Sequence, residues 1–186
     1  VIQWLAGFPF SSVTMGPMYY RAWIVLVYLL ALSGFLLPGK KRWTVPVCCG
    51  ISTLCLAILF NSWSFWRGPG AVTALDVGQG ESILIRSGGF LTLVDCGGSG
   101  YENAGDTAAG YLGDFGVRRL DLLVVTHFHN DHANGAARLL ERMEVGLLAL
   151  PDVDQESPIR QELLSMAERT GTEVRFIRSD TTLKLN

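Results

Sequence analysis

The first 70 residues of this 186-residue chain contain no aspartate and no glutamate, although they hold five basic residues. All seventeen acidic residues lie in the remaining part together with ten basic ones, which gives that part a formal charge of −7. A soluble domain normally carries charges of both signs on its surface, so the absence of acids argues against one in the first 70 residues. We therefore divide the chain into an apolar, slightly basic region 1–70 and an acidic globular region 71–186.

Cysteine is also scarce, and its placement argues against a disulfide framework or a cysteine zinc site. Cys48, Cys49 and Cys55 lie in an apolar run, and Cys96 stands alone in the globular region. A metal ligand or a nucleophile at Cys96 is conceivable, but no basic residue near it in sequence favours a thiolate. We expect Cys96 to be a small residue at a strand end.

Two stretches without charge predict about two transmembrane helices, at residues 22–37 and 45–63. Each has a core of sixteen uncharged residues, and the flanking uncharged residues bring it close to the roughly twenty that a bilayer requires. Trp23 at one end and Trp63 and Trp66 at the other are placed as interfacial aromatic residues would be. The alternative, a buried helical hairpin of a soluble protein, is disfavoured because neither stretch has a polar face.

The loop between these stretches, Gly39-Lys40-Lys41-Arg42, is the densest positive cluster of region 1–70. Short basic loops stay on the cytoplasmic side of a membrane, so the chain after the second span emerges on the outer side. We therefore predict a multi-pass membrane protein with region 71–186 extracytoplasmic. The opposite orientation stays open, because segments before Val1 can dominate topology.

Histidine is rarer still, and the three histidines of the chain, His127, His129 and His132, lie within six residues. They follow an apolar run at 120–125 that predicts a buried strand. His127 and His129 project to one side if strand geometry continues, so both can bind one cation. Asp131 and His132 on the following turn are close enough to hold a second cation. A polar turn with solvent-exposed or helix-capping histidines is the alternative.

This cluster predicts a site for two divalent metal ions. Imidazole and carboxylate ligands suit zinc, manganese or iron. Two such cations about 3.5 to 4 Å apart lower the pKa of a bridging water and stabilise a phosphoryl or acyl oxygen as charge develops on it. The expected chemistry is hydrolysis, with Asp131 as the candidate catalytic residue.

The pattern H-x-H-x-D-H, from His127 to His132, resembles the metallo-β-lactamase superfamily. The stretch Ala74-Leu75-Asp76-Val77-Gly78-Gln79-Gly80-Glu81-Ser82, followed by Leu93-Val94-Asp95-Cys96-Gly97-Gly98, is similar to the ComEC family of bacterial competence proteins, which form the channel for DNA uptake. The resemblance implies an α/β fold: the N-terminal half of an αββα sandwich at 71–186, truncated at its C-terminus and preceded by transmembrane helices.

Asp95 ends a predicted strand, and in the superfamily this position lies close to the metal ligands. We expect Asp95 to orient a ligand or the site loop rather than to bind metal. An aspartate that caps a glycine-rich turn is the equally weighted alternative.

For function, the resemblance implies a metal-dependent hydrolase domain that cuts DNA while one strand is imported, with membrane lipid and other competence proteins as further partners. A channel component that guides DNA without cutting it, and a membrane-anchored hydrolase of small molecules, are the alternatives. The acidic charge of region 71–186 argues against tight DNA contact, since affinity for nucleic acid usually requires a basic surface.

No histidine follows His132, so we expect the remaining metal ligands to lie outside this chain. The 186 residues alone should then bind zinc or manganese weakly and should not turn over substrate. Asp152, Asp154 and Asp180 are candidate ligands by residue type only.

Periodicity and turn residues predict the other elements of region 71–186. We expect strands at 71–77, 82–86, 90–94, 120–125, 146–150, 173–177 and 182–185, and helices at 107–115, 136–143 and 157–170. Arg138 and Arg142, one turn apart, either contact a phosphate backbone or belong to a solvated helix face, and the second interpretation is favoured.

Overall fold

The computed structural model describes residues 18–36, 42–180 and 182. They form two compact units, divided between Arg67 and Gly68. The predicted basic loop lies outside the described residues except for Arg42, and the predicted strand 182–185 lies outside them except for Thr182.

The first unit consists of two helices, α1 (Met18–Leu36) and α2 (Thr44–Arg67). The indole Nε1 of Trp23 donates a hydrogen bond to the carbonyl of Gly50 at 3.1 Å. A Cβ at Gly34 would lie 2.6 Å from the ring of Trp43, so the glycine is what lets this ring approach α1. Among the described residues, one helix, Thr44–Arg67, is long and apolar enough to cross a membrane, and Ala22–Leu36 is apolar but shorter.

The second unit is built around a six-stranded mixed sheet in the order β1-β2-β3-β4-β5-β6. The strands β1, β2 and β3 are antiparallel, whereas β3, β4, β5 and β6 run parallel. The strand bounds are Ala71–Ala74, Ile83–Ser87, Phe90–Val94, Arg119–Val124, Glu144–Pro151 and Glu173–Ile177. The predicted α/β class is confirmed, with one sheet of the expected sandwich among the described residues.

Helices connect the parallel strands, because a parallel pair needs a crossover. They are α3 (Ala104–Asp114), the short α4 (Asn130–Ala133), α5 (Ala136–Arg142) and α6 (Pro158–Thr170). Helix α3 begins three residues before the predicted start, since the side chain of Asn103 accepts a hydrogen bond from Gly105 N at 2.8 Å and caps the helix. Ser157 is the N-cap of α6 as expected, although its side chain makes no capping hydrogen bond.

The two faces of the sheet are buried to different degrees. Leu84, Leu93, Leu123 and Leu148 are paired neighbours across four strands, and none is more than 2% exposed. Side chains one position along each strand point to the opposite face. There, Leu122, Leu147 and Ala149 form a second cluster that includes partly exposed neighbours. The fully buried row anchors β3 and β4, whose ends carry the candidate site.

Candidate metal centre

The candidate site lies at the carboxyl ends of β3 and β4. These strands are parallel neighbours that pair Val94 with Val124, so the segments that follow them leave the sheet at the same edge. Asp95 N donates to the carbonyl of Val124 at 2.8 Å. Loops at the carboxyl ends of parallel strands are where open α/β sheets place their ligands. Asp95 and the histidine segment are therefore adjacent.

The predicted ligands come together around His127. Its ring centroid lies 4.8 Å from that of His129 and 3.9 Å from that of His132. Within the group His127, His129 and Asp131, the candidate ligand atoms all lie within 4.8 Å of one another, and the same holds for Asp95, His127 and His132. Imidazole nitrogens and carboxylate oxygens at this spacing form a donor set that fits divalent cations.

Asp95 is buried, with 1% exposure, and has a left-handed backbone with φ of 56°. Such a conformation is uncommon for a residue with a side chain, so it persists only where the surroundings hold it. Its Oδ1 accepts from Thr126 N at 2.7 Å, and its Oδ2 accepts from Thr126 Oγ1 at 2.6 Å. Oδ2 also lies 2.8 Å from Nδ1 of His132.

The contact with Asp95 determines the orientation of the His132 ring. A carboxylate only accepts, so Nδ1 is the donor and Nε2 is directed elsewhere, 3.6 Å from Asp131 Oδ2. The hydrogen bond to Asp95 raises the pKa of His132, burial opposes this, and the charges of Asp95, Asp131 and Glu81 add to the rise. Metal-ligating histidines commonly donate their other ring N–H to a carboxylate in this way.

Thr126 was not singled out from the sequence, yet it connects Asp95 to His127. Its hydroxyl hydrogen goes to Asp95, so its oxygen accepts from Nδ1 of His127 at 3.0 Å. This contact leaves Nε2 of His127 available. Asp95 thus orients His132 directly and His127 through Thr126. Hydrophobic periodicity carries no signal for such a hydroxyl, and only its place before His127 could have suggested it.

Glycines let two loops pack against the histidine segment. A Cβ at Gly97 would collide with the backbone nitrogen of His132, and one at Gly80 would lie 2.8 Å from the carbonyl oxygen of Asp131. The side chain of Asn134 closes the contact, because it accepts from Gly98 N at 3.0 Å and donates to Gly98 O at 2.9 Å. The two ComEC-like stretches therefore meet at the candidate site.

Cys96 is fully buried beside Asp95. Burial, followed by the charge of Asp95, raises the pKa of its thiol to about 12. A thiol that stays protonated is neither a good ligand nor a nucleophile. The geometry agrees with the small strand-end residue expected from the sequence.

Two open clefts flank Asn130 and Asp131. The first has a volume of about 380 Å³ and the second about 610 Å³. The first is lined by Gln79, Gly80, Gly98, Ser99, Asn130, Asp131 and Asn134, and the second by Phe128, His129, Asn130, Asp131, Ser157, Pro158 and Ile159. Asp131 is therefore accessible from both clefts, and His129 from the second.

The other charged candidates do not belong to the ligand cluster. Arg138 and Arg142 both bond to Asp106, at 2.9 and 2.8 Å, and Arg138 also bonds to Glu141. This pairing favours the solvated helix face over a phosphate contact. Asp152 bonds to Arg178 at 2.7 Å, and neither it nor Asp154 and Asp180 belongs to the two ligand groups found among the described residues.

The family model described as metallo-beta-lactamase superfamily matches residues 75–161, a span that holds Asp95 and every clustered ligand. This part of the chain is a metallo-beta-lactamase superfamily domain. Membership implies that the domain binds divalent metal, and the clustered ligands are where the chain offers suitable donors.

Three curated relatives extend the match beyond this metallo-beta-lactamase domain. "Competence protein ComA" of Neisseria gonorrhoeae is 32% identical over 72% of this chain and 18% of the relative. "Recombination protein 2" of Haemophilus influenzae is 34% identical over 72% of the chain and 16% of the relative. "ComE operon protein 3" of Bacillus subtilis is 23% identical over 71% and 19%. The chain spans less than a fifth of each relative, and the ComEC resemblance is confirmed over that part.

Proposed function

We propose that the chain is part of a bacterial membrane protein for DNA uptake, and that its metallo-beta-lactamase domain is a metal-dependent hydrolase that cuts DNA during import. The observation that carries the proposal is the convergence of His127, His129, Asp131 and His132 on one edge of the sheet. The names of two relatives, a competence protein and a recombination protein, support DNA as the substrate.

In this proposal His127, His129, Asp131 and His132 hold two divalent cations, zinc or manganese, and Asp131 is the candidate catalytic residue. When bound, such cations supply a water of lowered pKa and a positive charge beside a phosphoryl oxygen. Asp95 acts through the histidines: it accepts from Nδ1 of His132 and fixes the hydroxyl of Thr126, which accepts from His127. Both rings then present Nε2 to the cations.

Region 1–70 is proposed to cross the membrane twice, at about 22–37 and 45–63, and to place region 71–186 outside the cytoplasm. The exposed apolar surface of α1 and α2 supports this. Tyr28, Leu36 and Leu59 are 74, 77 and 65% exposed. Many exposed large apolar side chains on two neighbouring helices are unfavourable in water and support a lipid or protein environment. Membrane lipid and other proteins of the competence machinery are the corresponding partners.

In this proposal the domain binds DNA, a polyanion, although region 71–186 itself carries a net negative charge. Arg138 and Arg142 are already paired with acids, so they are not free to neutralise phosphates. The clefts beside Asp131 are lined mainly by uncharged residues such as Gln79, Ser99 and Asn130. We propose that the divalent cations themselves, rather than arginines, offset the phosphate charge of an imported single strand.

The test uses the full-length protein of which this chain is a part, purified in detergent and incubated with single-stranded and double-stranded DNA in Mn²⁺ or Zn²⁺. We expect the wild type to cut single strands and His127→Ala to lose cutting, while the exposed control Glu168→Gln retains it. In cells, we expect His127→Ala to abolish the cutting of DNA while DNA uptake continues.

Two outcomes would favour the alternatives. If the wild type cuts no DNA with either cation, and cells with His127→Ala take up DNA normally, the domain guides DNA without cutting it. If small esters or β-lactams are hydrolysed and DNA is not, the substrate is a small molecule.

A further inference from the structure

Glu81 lies in the ComEC-like stretch that precedes β2, fifty-one positions before His132 in the chain. Its backbone is held on both sides by the segments that carry the candidate site. Glu81 N donates to the carbonyl of Asp131 at 2.8 Å, and Glu81 O accepts from Gly97 N at 3.1 Å. The residue is thus pinned between the loop that follows β3 and the histidine segment.

The close approach depends on the residue before it. A Cβ at Gly80 would collide with Gly97 O and Gly98 Cα and would lie 2.8 Å from Asp131 O. Only a glycine lets the chain run this close to both loops. The glycine therefore brings the side chain of the next residue to the edge of the metal centre.

The carboxylate of Glu81 faces the same ring nitrogen that Asp95 holds. Its Oε2 lies 3.6 Å from Nδ1 of His132, whereas Asp95 Oδ2 lies 2.8 Å from that atom. The Glu81 side chain is 44% exposed and that of Asp95 only 1%. Asp95 makes the hydrogen bond, and Glu81 adds a second negative charge on the same side of the ring.

We propose that Glu81 is a positioning residue of the metal centre, whose charge beside Nδ1 of His132 makes the site bind divalent cations more tightly. This inference rests on the proposed function, because it requires His132 to be a ligand. A negative charge beside the donated N–H makes the opposite nitrogen a stronger donor to a cation. The carboxylate also attracts a cation directly, and added salt weakens this attraction.

The experiment measures Mn²⁺ affinity by electron paramagnetic resonance on the full-length protein purified in detergent, for the wild type, Glu81→Gln and Glu168→Gln. Glutamine keeps the shape of the side chain and the backbone hydrogen bonds of residue 81. Glu168 supplies the matched control, because it is an exposed glutamate far from the metal centre. Pro158 at the start of α6 lines the second cleft, and Glu168 lies ten positions beyond it, about 15 Å farther along the helix.

We expect Glu81→Gln to weaken Mn²⁺ binding about three- to tenfold, below the 10- to 100-fold typical of a fully engaged partner because Glu81 is half exposed. The difference should shrink in high salt, which a purely structural effect would not do. Glu81→Asp, which keeps the charge, should restore most of the affinity.

Equal affinities of wild type and Glu81→Gln overturn the role of Glu81 and leave the proposed function intact. Loss of affinity that does not respond to salt, or that Glu81→Asp fails to restore, also overturns it. A wild type that binds no Mn²⁺ or Zn²⁺ overturns the proposed function and this inference together.

Discussion

Asp95 Oδ2 and His132 Nδ1 lie 2.8 Å apart, although the two residues are 37 positions apart in the chain. The same oxygen accepts from Thr126, whose own oxygen contacts His127. One buried carboxylate thereby determines which nitrogen of two imidazoles remains available. This relationship makes the arrangement of the candidate ligands sensitive to residues that do not bind metal.

Asp95→Asn should weaken divalent cation binding about 10- to 100-fold, because the amide offers one acceptor where the carboxylate offers two. Asparagine tolerates the left-handed backbone at this position, so the fold should persist. The measurement is Mn²⁺ or Zn²⁺ affinity with a circular dichroism spectrum as the folding control. Unchanged affinity in a folded variant would show that Asp95 only caps a turn.

Thr126→Val should weaken cation binding with little effect on stability. Valine keeps the shape but removes the hydroxyl that joins Asp95 to His127, and the residue is exposed, so few packing contacts change. Thr126→Ser is the matched control and should bind like the wild type. If both variants bind equally well, the hydroxyl does not orient His127.

Gly97→Ala should destabilise the second unit by about 1–3 kcal/mol or more, as expected for a side chain forced into packed backbone. The added Cβ would meet the backbone nitrogens of His132 and Ala133. Thermal unfolding of the protein in detergent measures the change.

Gly110→Ala provides the control for that substitution. Gly110 lies within α3, and a Cβ there meets nothing within 4 Å. Because alanine is the better helix former, this variant should be stabilised by about 1 kcal/mol. Equal effects of the two substitutions would contradict the close approach of residue 97 to the histidine segment.

Asp106 should contribute stability that is lost in acid. Burial opposes its ionisation, but hydrogen bonds from Arg142 and Arg138 outweigh burial and lower the pKa of its carboxyl. A group whose pKa is lower when folded stabilises the fold above its unfolded pKa, here 3.8, and that contribution disappears as pH falls through the folded value.

Asp106→Asn should therefore lower the free energy of unfolding by about 1 kcal/mol at neutral pH. The difference from the wild type should vanish at a pH below the folded pKa. Urea unfolding at several pH values provides the measurement. A difference that persists in strong acid would mean that the effect is steric rather than electrostatic.

Local sequence patterns were sufficient for most of the elements. Strands β3 and β6 begin and end where alternation and turn residues predicted them, at Phe90–Val94 and Glu173–Ile177. Strand β1 ends at Ala74, three residues before the predicted end, and α3 begins earlier than predicted because of the Asn103 cap. Such boundaries depend on single hydrogen bonds that a periodicity does not register.

By itself, the sequence determined the division into an apolar and an acidic region, the α/β class and the position of the histidine cluster after a strand. The division and the cluster follow from composition, side-chain period and the chemistry of imidazole, all of which are local, and the α/β class was implied by the family resemblance of the motifs. Only the tertiary structure decided that Thr126 joins Asp95 to His127, that Glu81 faces His132, and that Asp106 pairs with Arg138 and Arg142. Those contacts are set by strand order and loop packing. Apart from the adjacent Thr126 and His127, the paired residues are 31 to 51 positions apart in the chain.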